Sequence, residues 1–420
     1  MMSHRAYILL LPLLAVLASA SCSKHVAQEE SAERVPILFS CSPVSVDTRA
    51  GNTFISNNRL LPRANDYFYV YGWNTGSSYL SAAPGAANFF NPALKVQFVD
   101  NDNQGSHNTY GLTTLRQPMD QYWPQDGTPY AYSFFAYYPY DDLESTHGIS
   151  EPDFSTPPSS GKFATIDFVT KKDAVGNTAV DDMVDFCVSD VANDQTYGYT
   201  TSAYPGTVDF TFHHMLTLVQ IKFVKSRDVS EDTVIELLDA RLDNINSEGT
   251  LTLAYTPPIS QGPGVDGATD FHWINVDTPV PYEITIGGVN PEYDSGTGTA
   301  TNPIELGYTQ SLDIQDAFLM IPQHLWTSGN PNRQRIHFWW RADGGEVQET
   351  EDTYLSDSKR SIGSDDTSGI SDWRINQMVT YTVVIRTAAL DFGTNDDPEV
   401  TVDIAPWPTQ DVNGYIQIID

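Results

Sequence analysis

Cys22 is the residue whose setting most directly implies covalent chemistry. It closes the stretch MMSHRAYILLLPLLAVLASASC, in which Arg5 precedes an apolar run from Ile8 to Leu17. Ser19, Ala20 and Ser21 then lead directly into the thiol. The apolar run is about half the length a bilayer span needs, so residues 1–21 read as a cleaved signal rather than an anchor helix. A cysteine immediately after small residues is the acceptor that lipoprotein processing requires: its thiol is acylated and it becomes the new N-terminus. Ser19 stands where leucine is usual, and an ordinary secretory signal with a coincidental Cys22 is the alternative. The expectation is a bacterial envelope lipoprotein that begins at Cys22 and meets the membrane only through its acyl chains.

Other residues with chemical potential do not converge. Cys41 and Cys187 complete the cysteine complement, with no CxxC or Cys/His spacing suited to zinc. Cys187 lies in VDFCV, where a small apolar strand residue is expected, and a Cys41–Cys187 bridge is the alternative. His213 and His214 are neighbours in a strand-like run, which sends them to opposite faces, so they read as structural rather than as ligands. Asp181-Asp182 and Asp365-Asp366 are carboxylate pairs in polar stretches of a chain with 54 acidic residues, where such pairs arise by chance. The segment from Asp100 to Gly105 begins like a calcium loop, but Gly111 stands where a bidentate glutamate is needed. There is no GxSxG, HExxH, P-loop or Rossmann glycine pattern. No catalytic residue, metal or cofactor is expected, and the chain is read as a non-enzyme.

Composition narrows the partners. The 420 residues carry 54 acidic against 22 basic side chains, a net charge of −32. Nucleic acids and anionic membrane surfaces are thereby excluded, because no basic patch is available to neutralise phosphates. The length suffices for two domains with separate cores.

Runs rich in Val, Ile, Tyr, Phe and Thr recur between Gly, Pro, Asn and Asp clusters, the pattern of an all-β protein. Clear strand signals are 67–73, 130–139, 207–213, 218–224, 316–322, 335–341, 379–386 and 399–404. Residues 232–245, with Val234, Leu237, Leu238 and Leu242, are the nearest approach to a helix and predict a short helix or an irregular connection. Val208, Phe210 and Phe212 occupy even positions, whereas Val219, Ile221 and Phe223 occupy odd ones. Strict alternation then demands a bulge or turn within 213–218. The polar cluster KSRDVSED at 225–232 predicts a domain boundary, giving domains at 50–228 and 229–420. Trp73, Trp123, Trp339, Trp340 and Trp407 lie in or beside apolar strands, where core packing is the expected use.

The collinear set of SCSK after the signal, DTRAG at 47–51, FYVYGW at 68–73, YWP at 122–124 and YSFFAYYP at 132–139 resembles the fimbrillin family of Bacteroidales lipoproteins, the type V pilins. DDMVDFCVSDVA at 181–192, VDFTFHHMLTLVQIKF at 208–223, FLMIPQ at 318–323, Trp373 before YTVVI, and VTVDIAPW at 400–407 extend the resemblance over nearly all of the mature chain.

The resemblance implies two tandem transthyretin-like β-sandwich domains and a pilus subunit that contributes to cell adhesion. It also implies assembly by strand exchange: an arginine-specific protease removes a leading segment with the first strand, and a strand from another subunit takes its place. In this chain the leading segment would be 22–49, with a first strand in 35–40 that continues through Val44 and Val46. Arg49, in a polar stretch open to a protease, would be the cleavage site, with Arg59 and Arg63 as competitors. Val412, Ile416 and Ile418 share one face of the last apolar stretch and form the candidate donor strand, although a final strand of the chain's own sheet would look the same. Implied partners are other pilus subunits, lipid-modifying enzymes, arginine-specific proteases and a host or glycan ligand, at an outer-membrane or fimbrial surface. The alternative function is a surface-anchored lipoprotein or tip adhesin that binds carbohydrate or a host ligand without forming a stalk.

Overall fold

The computed structural model describes residues 37–41, 67–74, 89–99, 109–112, 122–123, 132–138, 148–154, 162–170, 186–196, 206–210, 212–254, 272–310, 317–360, 370–375, 377–386 and 399–406. These residues form an all-β protein, with no α-helix among them. The first ten strands are β1 (Leu38–Cys41), β2 (Tyr67–Asn74), β3 (Phe90–Val99), β4 (Thr109–Leu112), β5 (Tyr132–Tyr138), β6 (Lys162–Val169), β7 (Cys187–Ser189), β8 (Ala192–Gln195), β9 (Thr207–Phe210) and β10 (Phe212–His214). Then come β11 (Thr217–Lys225), β12 (Ile235–Ala254), β13 (His272–Glu283), β14 (Glu292–Asp294), β15 (Thr299–Thr301) and β16 (Ile304–Glu305). The last six are β17 (Phe318–Met320), β18 (Arg335–Ala342), β19 (Gln348–Tyr354), β20 (Lys359–Arg360), β21 (Gln377–Ile385) and β22 (Glu399–Pro406).

A nine-stranded sheet runs β10-β7-β5-β2-β3-β4-β1-β9, with β8 also on β5. Its two ends, β9 and β10, are one residue apart in sequence, so the stretch 207–214 closes the sheet on itself. β5 explains why YSFFAYY is apolar almost throughout. Phe134 and Ala136 face one core together with Phe68, Val70 and Phe210, while Phe135 and Tyr137 face the other together with Tyr71 and Trp73. A strand buried on both faces reads as a continuous apolar run. Gly72 of β2 admits the neighbouring strand closely: a Cβ there would meet the Phe90 ring at 2.7 Å.

The required phase change between 208–212 and 219–223 occurs at Met215 and Leu216, which separate β10 from β11. Met215 is held on both sides: its N–H donates to Phe186 O at 2.8 Å, and its carbonyl accepts from Trp273 Nε1 at 2.7 Å. Here the chain changes sheets, since β10 pairs with β7 whereas β11 pairs with β17 and, in parallel, with β21.

This position differs from the boundary suggested by the polar cluster at 225–232. A cut at 228 would strip β11 from its partners, and it would also ignore β6, which pairs with β12 from Glu248 to Ala254. The cluster is instead a turn wound around a buried ammonium group. Lys225 Nζ donates to the carbonyls of Ser230 (3.3 Å), Glu231 (3.4 Å) and Thr233 (3.0 Å), and it lies 4.6 Å from the centre of the Tyr308 ring. Carbonyl dipoles and a π face replace the water that the charge has lost.

Residues 232–245 also differ from expectation, because most of them lie in the 20-residue strand β12. Its apolar spacing imitates a helix because the strand changes phase twice. Ile235 and Leu237 are buried, a register shift against β18 lies between Leu237 and Asp239, and Leu238, Ala240 and Leu242 are then buried. A second shift against β13 lies between Leu242 and Ile245, at Asn244 with φ of 63°, and returns Ile245, Leu251 and Leu253 to the core. Each bulge turns an i, i+2 pattern into an apparent i, i+3 pattern.

Candidate functional site

β1 is inserted between two strands of the nine-stranded sheet. It lies between β4 and β9, antiparallel to the first (Phe39 opposite Tyr110) and parallel to the second (Phe39 opposite Val208). Alternation sends Ile37 and Phe39 into the same core, where both are 0 % exposed. The Phe39 ring stacks on Phe210 at 5.5 Å and 15°, and meets Phe134 edge-on at 5.3 Å and 78°. Gly206, in the left-handed region at φ of 80°, turns its carbonyl to receive both Leu38 N–H (3.1 Å) and Trp123 Nε1 (2.8 Å). One glycine carbonyl therefore ties β1 and the buried Trp123 to the start of β9.

The remaining expectations divide by where they fall. Cys22, Arg49, Arg59, Arg63, Val412, Ile416 and Ile418 lie outside the described residues, as do Val44, Val46, Trp407 and both carboxylate pairs. Trp73, Trp123, Trp339 and Trp340 are buried, as the strand patterns suggested. His213 and His214 have separate partners: His213 Nε2 is 2.7 Å from Asp190 Oδ1, and His214 Nδ1 is 3.6 Å from the buried Cys187 thiol. Among the described residues, no three His, Cys, Asp or Glu side chains are grouped to hold a metal ion.

Sequence reading missed a polar network on the second-half sheet, because its members are far apart in the chain. His337 Nε2 is 3.0 Å from Glu349 Oε1, and its Nδ1 is 2.9 Å from Arg241 Nη2 and 3.3 Å from Asp243 Oδ2. Arg335 adds a contact to Asp243 at 3.2 Å. Asp239 accepts from Tyr293 N–H at 3.2 Å, and burial raises its pKa. Burial, then the charge of Asp239, pushes the Glu283 carboxyl up to about 7, with Arg241 opposing and Asp243 and Glu292 adding to the rise. Through charge and hydrogen bonds the network links side chains of β12, β13, β18 and β19.

Comparison with known proteins bears on the whole chain. The profile of the fimbrillin-like family matches residues 48–407. The chain belongs to the fimbrillin-like family. Membership supports a fimbrial role at the cell surface. The match begins just past β1, so the strand in the groove precedes the part shared with the profile. No curated protein sequence matches the chain significantly. Similar solved structures include a fimbrial protein from Bacteroides vulgatus, at 17% identity and a TM-score of 0.47, covering 82% of this chain and 94% of that one. Another is the tip fimbrial protein Mfa3 from Porphyromonas gingivalis with C-terminal truncation, at 12% identity and a TM-score of 0.37, covering 88% and 99% respectively. Family membership rests on the match over 48–407 alone.

The network yields a pH dependence. Glu283 holds its proton to about pH 7 in the folded chain but only to about 4.5 when unfolded, so its ionisation removes stability as pH rises through that window. Glu283→Gln should therefore stabilise the protein at pH 8 by about 1–2 kcal/mol, a figure reduced for the group's partial exposure, and leave it nearly unchanged at pH 4. Urea denaturation at the two pH values checks this.

Proposed function

We propose that this protein is a pilus subunit exported as a lipoprotein, matured by arginine-specific cleavage and assembled by strand exchange. The observation that carries the reading is β1 itself: a four-residue strand at the start of the described chain that completes the first sheet with Phe39 fully buried. Arg49 follows β1 by eight residues, so cleavage there would separate the strand from the rest of the protein. Before cleavage the strand keeps the groove closed and the subunit monomeric. After its departure, β4 and β9 would present unpaired N–H and C=O groups beside an open apolar core, a state that favours capture of another strand. The face formed by Val412, Ile416 and Ile418 is the proposed donor to a neighbouring subunit. Two tandem transthyretin-like sandwiches, a lipid on Cys22 and an outer-membrane route to the surface belong to the same proposal.

Cys22→Ala should abolish fatty-acid labelling and release the protein from the membrane fraction. Arg49→Ala should leave the surface form uncleaved, and Ile416→Asp should permit cleavage but weaken polymerisation by placing a charge in an apolar groove. N-terminal sequencing of the surface form and electron microscopy of each variant check these outcomes. A surface form that still begins at Cys22 and makes no fibres would remove the stalk reading.

Trp326 favours a second reading, that of a surface adhesin. It is 44 % exposed, whereas every other described tryptophan is buried. Its position is fixed: Trp326 N–H donates to Gln334 Oε1 at 2.9 Å, and its carbonyl accepts from Ser356 Oγ at 2.9 Å and Arg333 Nε at 3.3 Å. Beside it His324, edge-on at 5.1 Å and 89°, is paired with Asp372 at 2.8 Å. An exposed indole on a backbone held by these hydrogen bonds, with polar groups at its rim, suits the apolar face of a sugar ring. Trp326→Ala should reduce binding on a glycan array at least severalfold without lowering the melting temperature. An unchanged array would leave the ring without this role.

A further inference from the structure

The cage around Phe39 also bears on which strand can replace β1. Besides Phe210 and Phe134, its ring meets Phe90 at 6.3 Å and 71°. Phe90 and Phe134 contact each other at 5.8 Å, and Trp123 closes on Phe134 at 6.4 Å and 86°. All these rings lie outside β1, on β3, β5, β9 and the segment at 122–123, so they remain in the chain when β1 is removed. Ile37 occupies the same core one strand repeat away. The vacated groove would therefore offer one aliphatic and one aromatic site, two residues apart.

The chain's own C-terminal stretch does not match that pattern. In a strand over 412–418, Val412, Gly414, Ile416 and Ile418 would share one face, and none of them is aromatic. Tyr415 lies in the opposite phase, and turning it inward would also turn Asn413 and Gln417 into the core. With the first face inward, an isoleucine would stand in a site shaped for a phenyl ring, leaving a void and losing the ring contacts.

We infer that the groove selects a donor strand with an aromatic residue two positions from an aliphatic one, and that its partner is a different fimbrillin-type subunit rather than a second copy of this chain. The inference rests on the strand-exchange reading and adds direction to it. This subunit passes an aliphatic strand to one neighbour and receives an aromatic-bearing strand from another.

The test uses the full mature chain cleaved by an arginine-specific protease, equilibrated with a fluorescent peptide of residues 35–46. Unlabelled competitors are that peptide, its Phe39→Ile version, a peptide of residues 409–420, and the latter with Ile418→Phe. The native peptide should compete best, Phe39→Ile about tenfold less well or worse, and the 409–420 peptide weakly, with Ile418→Phe restoring competition. Equal competition by all four would overturn the selectivity while leaving strand exchange intact. Failure of any peptide to enter the cleaved chain would overturn strand exchange and the inference with it. In the uncleaved chain, Phe39→Ile should lower the urea midpoint, and an unchanged midpoint would also overturn the inference.

Discussion

The first half of the molecule is organised around the insertion of one short strand between two others that, among the described strands, meet only it on that side. β4 and β9 both meet β1, and β9 leads through a single residue into β10, which pairs at the opposite end of the same sheet. With β1 present the sheet closes, and without it the closure fails at one seam. Burial of Ile37 and Phe39 contributes roughly 1.5–3 kcal/mol each. Set against a typical net stability of about 5–15 kcal/mol, two side chains on four residues hold a large share of what keeps this body shut. A strand so short, at the start of the described residues, would be separable from the rest by one peptide cleavage between β1 and β2.

The second half is built around a different constraint. β12 is long enough to pair with β18 and β16 near its start, with β13 along most of its length and with β6 near its end. Because β6 comes from the first half, the two halves of the chain share backbone hydrogen bonds as well as a core that runs from Trp73 and Tyr137 through Ile166 and Phe168 to Leu251 and Trp273. The bond from Trp273 to Met215 pins the point at which the chain changes sheets.

Much of the fold was legible in the residues, because strand alternation is a local property. The phase slip between Phe212 and Val219 predicted the break at Met215 and Leu216, and the family resemblance was carried by the same runs that form β2, β5, β11 and β21. Local reading failed where a bulge disguised the period, as at Leu237 and Leu238, and where a polar cluster served a buried partner distant in sequence, as Lys225 does with Tyr308. The site was legible only in outline. A first strand in 35–40 follows from its composition, but its neighbours β4 and β9 lie about 70 and 170 residues further along the chain, and no local pattern names them. The aromatic cage from Phe90, Phe134 and Phe210 is invisible for the same reason, and so is the exposure of Trp326, whose neighbouring leucine, Leu325, is fully buried.

Backbone hydrogen exchange in β4 and β9, measured on the mature chain before and after cleavage between β1 and β2, tests the central claim most directly. Slow exchange in the uncut protein should give way to exchange faster by orders of magnitude once the β1 fragment has left. β11, β12 and β18 should keep their protection. Slow exchange in β4 and β9 after the fragment has departed would contradict the account, because it would mean that β1 does not hold the first sheet closed.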